Sequence, residues 1–382
     1  MPSTEELLKR HKPVLKYDSQ EVYFADSAAE WTDNPGNVLL DASGRTVAVA
    51  GEGLDLALLA TACKDGTATD NDVIGDPARD YQEQARRLHA QDQYRNRAYG
   101  RAVVEGDVVW LQYWFFYFYN DYNLIGTVLK AGLHEGDWEM VELRLPDEQG
   151  APDVAVYAQH AHAAARPWNQ VDLVPGTEQP LVYPARGSHA SYFEPGTHWT
   201  GYWFDHADGK RRSPDLDLKI VRDDQDEWLW LRWPGYWGDT KKGEGSPLDS
   251  DSPRGPGHHE QWDQPSALLS KPPPPRPTTA PSPPPAPAAL AEWAGAALRI
   301  HYNVQPDSEG RQPSILTATV NSPDDPAPPT TRSFEIEYRS GTVELKGDVE
   351  RTRRYDVYLT CATTDEPPLV SASTRLDVPP SD

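Results

Sequence analysis

The sequence predicts a mainly β chain, with a β-sandwich main domain that carries a few peripheral helices, a Pro-rich linker and a small C-terminal β-sandwich. Three observations predict it. From position 103 onwards, segments rich in aromatic and β-branched residues alternate with turn residues. Ten prolines then crowd into residues 271–289, and short alternating apolar segments follow them. We therefore expect domains at residues 1–270 and 290–382, joined by a linker at 271–289.

The N-terminal part predicts peripheral helices. Ser3 stands three residues before Glu6, which is the spacing of a capping box, and two leucines follow. Asp76-Pro77 opens a second helix, with Ala85 and Leu88 on its apolar stripe. Residues 51–63 are apolar and fit either a helix or a strand.

The central part predicts strands. Residues 108–119 run almost without a polar side chain, which indicates a strand buried on both faces. Turn residues bound several further segments that we predict as strands. These are residues 137–145, 153–160, 181–185, 218–222 and 228–232.

The C-terminal part predicts two elements without evident chemistry. Residues 271–289 should form an extended polyproline spacer, because proline fixes φ and removes backbone donors. The short strands after residue 290 are typical of an immunoglobulin-like or fibronectin-like sandwich. We expect this module to be accessory, with a protein partner as its most direct use.

Composition excludes several classes of function. The net charge is −23, so the chain lacks the basic surface that nucleic acids or anionic membranes require. Two cysteines, Cys63 and Cys361, provide neither a disulfide framework nor a thiolate zinc site. No run has the length of a signal-peptide core or a membrane span. The expected location is cytoplasmic, with export by a leaderless route as the alternative.

The segment His134-Glu135-Gly136-Asp137-Trp138-Glu139 carries the most chemistry. Strand alternation places Asp137 and Glu139 on one face with the aliphatic Val141. Buried carboxylates are costly unless a cation or donors compensate. We therefore predict a divalent-metal site in which His134 enters from the preceding loop. Magnesium, calcium or manganese suit carboxylates, and the imidazole also admits zinc. In the alternative, Asp137 caps the preceding turn and Glu139 meets an arginine.

Two more histidines are candidates for the same site. His160 ends an apolar stripe of its predicted strand, and His189 follows a strand in the turn Arg186-Gly187-Ser188-His189. Each alone is more often a structural residue than a ligand. With paired acids nearby in the sequence, either could serve as the base of a metal-dependent reaction.

Several motifs together resemble one known family. They are Tyr113-Trp114-Phe115-Phe116-Tyr117, the His134–Glu139 segment, Gln159-His160, and Leu181-Val182-Tyr183 with the Arg186–Ser191 turn. In this order and spacing they resemble the vacuolar protein sorting-associated protein 62 family, which occurs in fungi, plants and bacteria. The resemblance spans most of residues 10–265. It implies little biochemistry, because the family name comes from a sorting phenotype.

The His-x-x-Asp-Trp-Glu core also resembles the heptapeptide of the necrosis- and ethylene-inducing toxin-like proteins. That resemblance implies a β-sandwich that holds a divalent cation and recognises sugar headgroups of sphingolipids. His134, Asp137 and Glu139 match metal ligands of that family, and Asp121 is our candidate for a further acidic ligand. Leu133, Glu135 and Gly136 replace other residues of the heptapeptide. These departures weigh against toxin activity more than against metal binding.

Three functions remain open at this level. The first is metal-dependent binding of a carbohydrate or glycolipid headgroup. The second is a metal-dependent hydrolase of phosphoesters or glycosides, with His160 or His189 as base. The third is an assembly scaffold without metal chemistry. Binding is favoured, because the sequence contains no nucleophile elbow and no zincin motif.

Overall fold

The computed structural model describes residues 2–77, 81–89, 96–122, 133–146, 151–201, 204–213, 215–238, 252–275, 283–307, 310–323, 330–347, 349–363 and 370–381. The chain is mainly β, with 43% strand and 17% helix, as the sequence predicts. None of the helices within these ranges has the length and apolarity needed to span a membrane.

The chain divides into two compact units. The first comprises Met1–Asp121, Ala131–Thr197 and His206–Pro274, and the second comprises Tyr122–Lys130, His198–Asp205 and Pro275–Asp382. The predicted domain boundaries stay a prediction.

Short helices are peripheral to the sheets. The α-helices are α1 (Thr4–Arg10), α2 (Ala28–Thr32), α3 (Leu56–Asp65), α4 (Tyr81–His89) and α5 (Glu260–Asp263). The 3-10 helices cover Trp168–Gln170, Asp226–Arg232, Pro256–His258 and Pro265–Ser270. The Ser3 hydroxyl accepts a hydrogen bond from the Glu6 N–H, and the Glu6 carboxylate accepts one from the Ser3 N–H. The predicted capping box is therefore present.

The strands follow in chain order. Up to residue 120 they are β1 (Val14–Tyr17), β2 (Ala25–Asp26), β3 (Val38–Leu40), β4 (Thr46–Val49), β5 (Val73–Gly75), β6 (Arg97–Glu105) and β7 (Val108–Asn120). Then come β8 (His134–Leu145), β9 (Val154–Gln159), β10 (His162–Pro167), β11 (Leu181–Pro184), β12 (Ser191–Tyr192), β13 (Gly196–Trp199), β14 (Phe204–Ala207), β15 (Arg211–Arg212), β16 (Asp217–Ile220) and β17 (Tyr236–Trp237). The last are β18 (Ala288–Ala294), β19 (Ala297–Asn303), β20 (Ile315–Asn321), β21 (Thr330–Glu335), β22 (Ser340–Leu345), β23 (Tyr355–Ala362) and β24 (Thr374–Val378).

Two sheets of the first unit share a core. The larger sheet has the order β10-β9-β8-β7-β6-β16, with β2 also paired to β7, and the smaller has the order β12-β11-β1-β15. Alternate residues of β7 and β8, such as Tyr113 and Val141, pack in one cluster with Leu15 and Val182 of the smaller sheet. The same face of β8 carries Asp137, so the predicted alternation places this acid toward the core.

The opposite face of the larger sheet is covered by aromatic rings. Phe116 of β7 and Trp138 of β8 lie 5.0 Å apart between ring centroids, and Trp237 lies 5.5 Å from each of them. Trp31 contacts Phe116 and Trp237 from α2. As predicted, β7 is therefore buried on both faces.

The C-terminal strands form a sandwich of their own. One sheet has the order β18-β19-β22 and the other the order β21-β20-β23-β24. Leu298, Ile300 and Leu345 of the first sheet share a core with Val320 and Leu359 of the second. Strand β18 starts at Ala288, inside the segment predicted as linker, and residues 276–282 of that segment lie outside the described residues.

One predicted strand is wrong. Residues 228–232 lie in the 3-10 helix Asp226–Arg232, in which Trp230 and Leu231 are buried. The β-forming residue types had favoured a strand, but aromatic packing of Trp230 against Tyr99 and Trp237 decides the local structure. The ambiguous segment 51–63 contributes helix α3, capped by Asp55.

Candidate functional site

The acidic segment begins strand β8 next to β17. Gly136 has a φ of +60°, and a Cβ at this position would collide with the carbonyl oxygen of Trp237. Glycine is therefore required here by both backbone conformation and space. His134 is the first residue of β8 and pairs with Asn120 of β7. The expectation that His134 enters from a loop is corrected, because pairing with β7 extends the strand to it.

The turn between β11 and β12 presents His189. Its ends are joined by hydrogen bonds from the Ala185 N–H to the Ala190 carbonyl and from the His189 N–H to the Ala185 carbonyl, both 2.9 Å. His189 has a φ of +57°, which is uncommon outside glycine and costs conformational energy. The turn thereby directs a fully buried imidazole toward β8.

The structure joins two of the predicted site residues, His189 and Asp137, directly. The Nδ1 atom of His189 lies 2.9 Å from Oδ2 of Asp137. The ring stacks on Tyr117 of β7 with 3.9 Å between centroids and 2° between planes. On the far side, Nε2 of His189 lies 3.8 Å from Oε1 of the buried Glu21, an ion-pair distance.

Electrostatics make His189 a buried cation. Burial lowers its pKa, but the hydrogen bond to Asp137 and the charges of Asp137 and Glu21 outweigh this and raise the pKa to about 9. Burial likewise raises the pKa of Glu21, while His189 and backbone N–H groups bring it below its usual value. At neutral pH the arrangement is an imidazolium between two carboxylates.

His134 has a different protonation state. Its Nδ1 atom lies 2.7 Å from the carbonyl oxygen of Gly136. Burial lowers its pKa, and the charge of Asp137 opposes this only in part. Because a carbonyl only accepts hydrogen bonds, Nδ1 carries the proton, and the neutral ring keeps its lone pair on Nε2.

The other two predicted acids lie at the same end of the sheet. Glu139 is buried on the β8 face of Asp137, and its charge, with those of Asp137 and Glu21, adds to burial in raising the pKa of Tyr117. Asp121 follows the last residue of β7 and is buried, and its charge acts on Tyr23. The sequence therefore predicted correctly that Asp137 and Glu139 face inward, and whether these acids and Asp121 bind a metal stays a prediction.

His160 lies apart from the strand face on which the sequence placed it. Gln159 pairs with His162, so His160 occupies a two-residue hairpin turn, where it is exposed with a φ of +57°. The neighbouring Gln159 side chain donates to the Ser191 carbonyl at 3.1 Å. The segments of His160 and His189 are thus adjacent, but the ring of His160 does not continue the apolar stripe.

The donor types at this end of the sheet fit a divalent cation. They comprise the carboxylates of Asp137, Glu139 and Asp121 and the neutral ring of His134. The amide oxygen Oδ1 of Asn120, a residue paired in register with His134, is buried and has no hydrogen-bond partner among the residues that the structure describes. Within the described ranges no three His, Cys, Asp or Glu side chains are already grouped as a ligand set. His134, Asp137 and Glu139, with Asp121, are the residues that would hold the ion.

Sequence reasoning gave no role to Glu21 and Tyr117. Tyr117 ends one motif of the family resemblance and Glu21 lies within the span of that resemblance, but neither has a spacing that indicates chemistry. Strand β2 pairs with β7 so that Ala25 lies opposite Tyr117, and this pairing carries the Glu21 loop to the site. The positions of Glu21 and Tyr117 at the site depend on this long-range strand pairing, which local sequence patterns do not reveal.

Several solved structures of toxin-like proteins are similar to parts of this chain. The structure titled NLPPya in complex with glucosamine has 12% identity and a TM-score of 0.25, over 35% of this chain and 55% of its own. Necrosis and Ethylene inducing Protein 2, from the causal agent of cocoa's Witches Broom disease, has 14% identity and a TM-score of 0.26, over 35% and 56%. The non-toxic HaNLP3 protein has 15% identity and a TM-score of 0.30, over 61% of this chain and 81% of its own. This chain thus spans about half the length of the first two. Because these TM-scores are low, the ligands and activities of those proteins are not assigned to this chain.

The sequence itself matches a family. No curated protein matches the chain. The profile of vacuolar protein sorting-associated protein 62 matches residues 1–206, which is more than half of the chain and includes every candidate site residue. The chain belongs to the vacuolar protein sorting-associated protein 62 family.

Proposed function

We propose that this protein binds a carbohydrate or glycolipid headgroup through a divalent cation held at the start of β8. The observation that carries the proposal is the protonation state of the His134 ring, which is neutral with its proton on Nδ1. Its Nδ1–H is engaged by the Gly136 carbonyl at 2.7 Å, which leaves Nε2 as a lone-pair donor. Metal-binding histidines need a neutral ring, and a hydrogen bond from the other nitrogen commonly fixes their orientation.

The surrounding groups favour a hard cation. Asp137 and Glu139 project from one face of β8, and Asp121 lies at the end of the neighbouring strand. The imidazolium of His189 lies between Asp137 and Glu21 and is shared by these two carboxylates. A divalent ion would lower the cost of keeping several carboxylates ionised in a buried place. Bound there, it would supply positive charge toward sugar hydroxyl oxygens.

The charge of the chain narrows the ligand class. At −23, the protein repels anionic groups at long range, and the acids near the site add to this at short range. We therefore expect neutral or amino sugars to bind better than sialylated or phosphorylated ones. Glucosamine and mannosamine, present in complexes of a structurally similar protein, are convenient probes.

The hydrolase alternative is less well supported. A general base must be unprotonated near neutral pH and lie within reach of the water that it activates. With a pKa of about 9, His189 keeps its proton between Asp137 and Glu21. His160 lies in an exposed hairpin turn. These features favour a binding site over a catalytic one.

A glycan array tests the proposed function. Wild-type protein should bind a set of neutral or amino-sugar glycans with Mg²⁺, Ca²⁺ or Mn²⁺ present and lose them in EDTA. His134→Ala should abolish binding, while His301→Ala, a half-exposed histidine of the C-terminal sandwich, should not. Equal binding in cation and in EDTA would contradict metal dependence. Turnover of phosphoester or glycoside panels that His160→Ala or His189→Ala abolishes would favour the hydrolase.

A further inference from the structure

Glu21 is a buried carboxylate near the site that accepts three backbone hydrogen bonds. It is fully buried in the loop between β1 and β2. Its Oε1 accepts the backbone N–H groups of Val22 and Tyr23 at 2.8 and 2.9 Å. Its Oε2 accepts the Gly187 N–H at 2.8 Å. Three backbone donors thus fix the carboxylate and favour its ionised form.

The Glu21 carboxylate also contacts the turn of His189 and approaches the ring nitrogen that faces away from Asp137. Gly187 belongs to the turn that presents His189, so the Oε2 contact ties the Glu21 loop to that turn. Oε1 faces Nε2 of His189 at 3.8 Å, while Nδ1 of the same ring meets Asp137 at 2.9 Å. The three side chains therefore form a row with the imidazole in the middle. Tyr117 closes one face of that imidazole.

The row has a consequence for Asp137. A histidine held only by Asp137 could rotate about χ1 or χ2, and its backbone at φ +57° is not an intrinsically preferred conformation. Glu21 restrains the turn at Gly187 and the ring at Nε2, so Nδ1 is directed at one oxygen of Asp137.

We propose that Glu21 is a positioning residue of the candidate site, which orients His189 and thereby sets the orientation of Asp137. The proposal deepens the proposed function and rests on it where cation affinity is concerned. Residues that orient ligands of a metal commonly change its affinity about 10- to 100-fold when they are substituted. Glu21 therefore acts through His189 and Asp137, without contact to the cation.

The test uses full-length protein with ¹⁵N-labelled histidine. The Nδ1–H proton of His189 should give a downfield resonance, assigned by its loss in His189→Gln. Glu21→Gln keeps the shape and removes the carboxylate that restrains Nε2, so the hydrogen bond from Nδ1 to Asp137 should lengthen and this resonance should move upfield. Glu105→Gln is the matched control, since Glu105 also accepts a backbone N–H and a hydroxyl, both from Ser266. It lies at the other end of β7, next to the β6–β7 turn, and should leave the resonance in place.

Calorimetric titration with Mg²⁺, Ca²⁺ and Mn²⁺ gives the second measurement. Glu21→Gln should weaken cation binding about 10-fold or more relative to wild type and Glu105→Gln. A folded Glu21→Gln with unchanged resonance, or with unchanged affinity, overturns the proposal. If Glu21→Gln does not fold, Glu21→Asp replaces it, because the shorter side chain keeps the charge but moves it away from His189. An unchanged His189 resonance in Glu21→Asp would then overturn the proposal. If the wild-type protein binds no cation, only the proposed function is refuted. The His189 resonance still tests whether Glu21 orients that ring.

Discussion

The ring of His189 lies parallel to the ring of Tyr117, with 3.9 Å between centroids and 2° between planes. This contact fixes the plane of the imidazole, and Asp137 and Glu21 then fix its rotation within that plane. A buried cation, two carboxylates and an aromatic face thus come together from four separate parts of the chain.

Replacing His189 should destabilise the fold strongly. His189→Gln removes the only charge that the described residues place between Asp137 and Glu21, and leaves both carboxylates buried. Loss of one partner from a buried charge pair typically costs about 3–5 kcal/mol. Urea unfolding at pH 7 measures this loss. His301→Gln, which breaks an exposed pair with Glu292, should cost less than about 1 kcal/mol. Similar losses in the two variants would contradict the account.

The pH dependence of stability should report the same imidazolium. The pKa of His189 rises from 6.5 to about 9 on folding, so the folded state binds the proton more tightly than the unfolded state. Its stabilisation is therefore complete below pH 6.5 and lost as pH rises through about 9. The difference in unfolding free energy between wild type and His189→Gln should shrink from pH 6 to pH 10. A difference that stays constant over this range would show that His189 is neutral in the fold.

Gly136 should be far less replaceable than another glycine with the same backbone angle. Gly136 and Gly106 have φ values of +60° and +61°. A Cβ on Gly106 meets no atom within 4 Å, whereas one on Gly136 collides with the Trp237 carbonyl. Gly106→Ala should therefore cost only the left-handed conformation, about 1–2 kcal/mol. Gly136→Ala should cost about 1–3 kcal/mol more. Chemical denaturation compares the two, and equal costs would exclude the close approach.

Glu142 should lower stability at neutral and alkaline pH. It is fully buried on the aromatic face of β8, where burial raises its pKa well above 4.5 against the opposing effect of a Gln112 hydrogen bond. Because the folded state holds this proton, the contribution of Glu142 is present below pH 4.5 and falls as pH rises. Glu142→Gln should therefore raise the Tm at pH 8 by at least about 2 °C. At pH 4.5 the two proteins should melt together. A lower Tm for the variant at pH 8 would contradict this.

Much of the fold could be predicted because its signals are local. The capping box at Ser3 and the unbroken apolar run of β7 depend on residues close in sequence, and both are present as predicted. Alternation along β8 also placed Asp137 on the core-facing side. The 3-10 helix at Trp230 was missed, because a tertiary aromatic cluster overrides the strand preference of those residue types.

The site was predictable only in part. The acids of β8 were found, because carboxylates on an apolar strand face need an explanation wherever they occur. The role of His189 was not, since its partners Glu21 and Tyr117 are brought to it by the pairing of β2 with β7. Its protonation depends on that distant geometry. His160 was misplaced because the hairpin turn begins one residue earlier than the apolar stripe implied.

Cation binding by the purified protein tests the central claim most directly. Protein prepared without added metals or chelators, then titrated calorimetrically with Mg²⁺, Ca²⁺, Mn²⁺ and Zn²⁺, should bind one divalent ion per chain. His134→Ala should weaken that binding by at least about 10-fold, and His301→Ala should leave it unchanged. A wild-type protein that binds none of the four ions, or a His134→Ala variant with wild-type affinity, would contradict the proposed site.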